Sequence, residues 1–68
     1  MYTKEELLGF FNSLMGYEQQ QRDLLNALAL ELDDARIKDI VHNIAVDEQR
    51  HMGHVADIIA IVEGGLVE

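Results

Sequence analysis

The sequence predicts an all-α protein: an antiparallel two-helix hairpin that pairs with a second copy into a four-helix bundle, within a larger oligomer. Three observations carry that expectation. First, each half of the chain holds a stripe at alternating steps of four and three residues, the spacing that keeps one helix face against a neighbour. Leu7, Phe11, Leu14, Glu18, Gln21, Leu25, Leu28 and Leu32 make the first stripe, and Ile37, Val41, Ile44, Glu48, His51, Val55, Ile58 and Val62 the second. Second, both stripes are apolar at the ends and polar only in the middle. Third, 49% of the residues are hydrophobic and none is proline, yet 68 residues are too few for a lone hairpin to bury a comfortable core.

Thr3 followed by Glu6 spells a capping box, and Tyr2 is placed to staple onto Leu7, so the first helix runs from about residue 4 to about 31. Leu32-Asp33-Asp34 is the turn. The stripe steps by five from Leu32 to Ile37, which breaks the phase of a continuous helix, and either aspartate can cap the second helix. That helix spans about 35 to 63 and is stopped by Gly64 and Gly65, with Leu66 folding back on Ile61. Residues 1–68 thus form one domain. Helices joined by so short a turn lie antiparallel. Glu18 and Glu48 are each fifteen residues from Asp33. At ~1.5 Å per residue they stand at one height, roughly 22 Å from the turn. A second apolar strip flanks the first through Leu8, Met15, Ala29, Ala45, Met52 and Ile59. The outward positions Gly9, Gly16, Leu30, Val46, Gly53 and Ala60 are small or apolar, which reads equally as close approach of further helices or as loosely selected surface glycines.

A formal net charge of -8 argues against nucleic acid or an anionic membrane surface as partner and favours attracting cations. With no cysteine there is neither a disulfide nor a thiolate metal site. No apolar run approaches the ~20 residues that span a bilayer, and the N-terminus lacks the layout of a signal peptide, so the expected location is cytoplasmic.

The candidate chemistry lies in the polar layer. Glu48 and His51 are three residues apart, hence neighbours on one helix face, and Glu18 is level with them. Two hairpins meeting at this layer bring together two Glu18, two Glu48 and two His51. Burying one unpaired carboxylate costs several kcal/mol, whereas two divalent cations neutralise four of them. One Glu from each of two helices and Glu-x-x-His from each of the other two is the ligand set of di-metal carboxylate bundles. Carboxylate oxygen with a single imidazole per ion suits Fe or Mn, with Zn as a substitute. Around these ligands, Gln21 can hydrogen-bond a metal-bound water or carboxylate, Tyr17 either hydrogen-bonds a ligand carboxylate or, more in keeping with its position, packs on its ring at an interface, and Asp47 can orient the His51 ring. His54 is a third nitrogen ligand, a supporting group or an exposed side chain. His42 falls on the outer face, and Gln19, Gln20, Arg22 and Asp23 read as solvated surface. The competing reading makes Glu18, Gln21, Glu48 and His51 a hydrogen-bonded layer that fixes register in a metal-free helical oligomerisation module.

Tyr17-Glu18 and Asp47-Glu48-Gln49-Arg50-His51, framed by Asp33, Asp34 and Ile37 to Ile44, resemble the ferritin-like di-iron family over residues 10 to 62. The chain looks closest to the encapsulated ferritins, which have half the length of ordinary ferritin, and it is also similar to one half of a rubrerythrin domain. The resemblance implies a ferroxidase serving iron storage and detoxification, which binds Fe(II) and oxidises it with O2 or peroxide. It carries Glu18, Glu48 and His51 over as ligands and catalytic residues of a di-iron centre, two ions per dimer, shared by two subunits of a ring-shaped homo-oligomer. It also implies an encapsulin shell as partner and location, although residues 64–68 lack the family's shell-targeting tail and Gln20 stands where those proteins carry acidic residues along the iron path. The alternative within the same resemblance is a rubrerythrin-like scavenger of peroxide, here without the cysteines of a rubredoxin-like centre.

Overall fold

A computed structural model describes residues 1–65, and in it the caps set the helices. The Glu6 amide donates to Thr3 Oγ1 at 3.1 Å while the Thr3 amide donates to Glu6 Oε1 at 2.9 Å, closing the capping box from which α1, Lys4–Glu31, departs. Hydrogen bonds from the Thr3 backbone and side chain hold the Glu6 carboxyl below its ordinary pKa. Of the two aspartates in the turn, Asp34 caps α2, Ala35–Glu63: its Oδ1 accepts from the amides of Arg36 at 2.8 Å and Ile37 at 3.3 Å. The Arg36 guanidinium, paired with Asp34 at 3.1 Å, and these amides lower the Asp34 pKa. Gly64 ends α2, and Gly65 turns the chain at a φ of +82°, a conformation cheap only for glycine. The expected contact of Leu66 with Ile61 lies outside the described residues. At the open end of the hairpin Lys4 Nζ donates to the Glu63 carbonyl at 3.1 Å, placing a cation at the negative end of the α2 dipole.

The two helices pack side by side into a rod of 51 × 16 × 16 Å. Its radius of gyration is 15.6 Å, against about 11 Å for a compact chain of this length. Its accessible surface is 5266 Å², where a compact monomer of the same mass exposes roughly 4300 Å². Among the described residues Val41, Ala45, Met52, Val55 and Val62 are buried, all on α2, while α1 carries half-buried Leu7, Leu8, Phe11, Leu14, Met15, Glu18, Gln21, Arg22, Leu25 and Ala29, with half-buried Leu32 just past its end.

On α1 the expected stripe is half-buried except for Leu28, and on α2 the seam corrects the expected one in part. The residues facing across the hairpin include the strip expected to flank the core, through Ala45, Met52 and Ile59, together with Val41, Glu48, Val55 and Val62. Ile37, Ile44 and Ile58 of the expected core stripe remain 48%, 43% and 36% exposed. The reason is geometric: one neighbouring helix covers only part of a wide apolar arc, so the arc divides between a covered half and an open half. By helical phase, Ile37, Ile40, Ile44, Ile58 and Ile61 of α2 fall on the same side of the seam as Phe10, Leu24 and Leu28 of α1, and all eight are exposed. The opposite side carries Asn12, Gln19, Asn26, His42 and Gln49 together with exposed Leu30, so the exposed apolar residues are concentrated on one face and the other is mainly polar. A Cβ built at Gly9, Gly16 or Gly53 meets nothing within 4 Å, so contact between α1 and α2 does not require these glycines. Neither helix is long and apolar enough to cross a membrane.

Candidate metal centre

Glu18, Glu48 and His51 come together. Each offers one ligand atom, and the three atoms lie within 4.8 Å of one another. Antiparallel packing about the Asp33-Asp34 turn sets Glu18 level with Glu48, and the three-residue step along α2 brings His51 to the same face. The Glu48 side chain is 22% exposed and His51 58%, so the cluster opens from the seam toward the apolar face. His51 Nδ1 stands 3.9 Å from Glu48 Oε1, beyond hydrogen-bonding distance, and the two do not satisfy each other. Glu18 Oε2 is buried with no hydrogen-bond partner among the described residues. Leaving a buried polar atom unpaired costs about 1–3 kcal/mol, a cost that a cation at this point would remove. Two carboxylates and one imidazole fit the donor preference of Fe(II) or Mn(II). Three protein donors fall short of the octahedral shell such ions favour, so one hairpin provides about half a site.

Asp47 does not orient His51: its Oδ1 pairs with Arg50 at 3.2 Å, three residues along on the outer side of the helix. Tyr17, His54 and His42 are exposed and stand outside the cluster. Gln21 is half-buried beside it, and no hydrogen bond joins the two among the described residues. Arg22, expected on the solvated surface, is instead half-buried and crosses the seam, its Nη1 donating to Gln49 Oε1 at 2.7 Å. The signal that could have found it is helical phase: Arg22 is the next step of the series Met15, Glu18, Arg22, Leu25, Ala29, which faces α2. An open apolar groove of about 500 Å³, lined by Tyr2, Glu6, Leu7, Gly9, Phe10 and Phe11, lies at the free end of the hairpin and does not include the cluster.

The fold and the cluster define a class: a two-faced helical hairpin with an oxygen-and-nitrogen donor set across its seam. No protein-family model matches the chain, and comparison with curated proteins and with solved structures found no match to it.

Proposed function

We propose that this protein is a homo-oligomeric di-iron ferroxidase of ferritin-like type, its active site shared by two subunits. The observation that carries the reading is the unpaired, buried Glu18 Oε2 beside Glu48 and His51. A carboxylate oxygen kept dry without a donor is unfavourable in a metal-free protein and useful in a metal-binding one. The uncovered face with Ile37, Ile44, Ile58 and Leu28 on either side of the cluster supports a second copy seated there, which would double the donors to four carboxylates and two imidazoles. Fe(II) is the substrate. Two Fe(II) ions give up one electron each, and with two protons these reduce O2 to hydrogen peroxide, or reduce hydrogen peroxide to two waters. The chain supplies charge and donors: Glu18 and Glu48 would hold the ions through carboxylate oxygens, and His51 would add one nitrogen donor per subunit. Iron storage, a ring-like assembly and an encapsulin shell rest on the family resemblance alone.

The test is to titrate apo-protein anaerobically with Fe(II) and admit air. An absorbance change from Fe(III) that Glu48→Ala abolishes supports the reading, and an unchanged rate in that variant overturns it. Running H2O2 against O2 separates a storage ferroxidase from a peroxide scavenger. A second reading, a metal-free oligomerisation module, is favoured by the same exposed apolar face, which would drive association without any ion. It requires a melting temperature indifferent to chelator, Fe(II) and Mn(II), because a ligand selective for the folded state must stabilise it.

A further inference from the structure

We infer that Arg22 is a tethered counter-charge that closes the polar side of the carboxylate layer and weakens its hold on divalent cations, an inference resting on the metal-site reading above. Helical side chains lean toward the N-terminus of their own helix, so Arg22, one turn beyond Glu18, returns its guanidinium toward the height of the layer. There Nη1 donates to Gln49 Oε1 at 2.7 Å and approaches the Met52 sulfur at 3.8 Å. Gln49 is the residue after Glu48. Among the described residues, Arg22 is the only side chain that hydrogen-bonds a side chain of the other helix. The guanidinium is held on its own helix as well: Nε and Nη2 lie 3.1 and 3.0 Å from Asp23 Oδ1.

What Arg22 leaves unpaired is as informative. A guanidinium free to turn would form a bidentate pair with Glu18, the stronger partner, and satisfy its buried oxygen. Glu18 Oε2 has no partner, and the ion pair of Arg22 among the described residues is with Asp23. Gln49 and Asp23 therefore hold the positive charge off the glutamates while keeping it in the same stratum, with a side chain only 28% exposed and hence poorly screened. The layer is thereby covered on the Gln49 side, which leaves the His51 side as the way in for a cation. The fixed charge also subtracts from the attraction of two carboxylates for a divalent ion.

The experiment measures Mn(II) affinity of the full chain by calorimetry, with apo melting temperatures in parallel, for the wild type, Arg22→Gln and Arg22→Lys. Arg22→Gln removes the charge and should tighten Mn(II) binding on the order of tenfold at low salt. The gain should shrink as salt is raised, which the loss of a merely structural clamp would not produce. Arg22→Lys keeps the charge but cannot make the forked bonds to Gln49 and Asp23 together, so its ammonium can turn onto Glu18 one turn away and the variant should bind Mn(II) no more tightly than the wild type. Equal affinities in all three proteins, or equal tightening in both variants, would overturn the inference even where the variants melt lower. A wild type that binds no Mn(II) or Fe(II) would instead overturn the metal site itself, and the role of Arg22 with it.

Discussion

Replacing Glu18 by Gln should make the metal-free protein more stable and the metal-treated protein less so. In the apo-protein, Glu18 Oε2 is buried and unpartnered. An unsatisfied buried group costs about 1–3 kcal/mol, and the low end applies here because the rest of the side chain is only half-buried. The amide introduced by Glu18→Gln is uncharged and can donate to Glu48, whose ligand oxygen lies within the 4.8 Å cluster. Recovering about 1 kcal/mol should raise the apo melting temperature by roughly 4–8 °C in a domain this small. The metal response should move the other way. A cation at one hundred times its dissociation constant stabilises a folded protein by about 2.7 kcal/mol, which corresponds to roughly 11–22 °C in the wild type. An uncharged amide oxygen is a poorer donor to a divalent cation than a carboxylate, so most of that shift should disappear. The assay is thermal melting followed by circular dichroism at one protein concentration, with chelator or with excess Mn(II), since melting of an oligomer depends on concentration. A variant that melts lower than wild type without metal would show that Glu18 Oε2 is satisfied in solution. A variant that keeps the full Mn(II) shift would remove Glu18 from the site.

Ile44→Glu places a charge on the exposed apolar face, one turn from Glu48, and should push the mass in sedimentation equilibrium toward the 7.7 kDa of a single chain. An unchanged mass would mean that partners meet on another surface. Acid should loosen both helix starts. Glu6 and Asp34 have folded-state pKa values depressed below 4.5 and 3.8, so the stability they lend is complete above those values and is lost as pH falls through the lower folded ones. Helicity of metal-free protein followed by circular dichroism should therefore hold down to about pH 4.5 and fall below it. Asp34→Asn, which keeps the cap oxygen and removes the titration, should blunt that fall, and an identical acid profile would rule out the Asp34 cap as a contributor.

Much of the fold is legible in the residues themselves. Thr3 with Glu6, the aspartates after Leu32, and Gly64-Gly65 mark helix ends through local hydrogen bonding, which depends on residues only two or three apart. The equal spacing of Glu18 and Glu48 from the turn, and the i, i+3 step to His51, likewise come from helical rise and hairpin connectivity. The residues alone leave the division of a wide apolar arc ambiguous. Both Ile44 and Ala45 suit a helix interface, and only the crossing of α1 over α2 decides that Ala45 is buried and Ile44 open. Long polar side chains escape sequence reasoning for a related reason. Arg22 reads as surface and Asp47 as a partner of His51 because sequence position fixes where a side chain begins and not where its tip can find a partner. Gln49 draws one across the seam, and Arg50 holds the other on the outside. Local periodicity thus determined the elements and the height of the polar layer, while packing between the helices, a matter of which rotamers fit a shared groove, decided which atoms of that layer are dry, which are open and which remain unpaired.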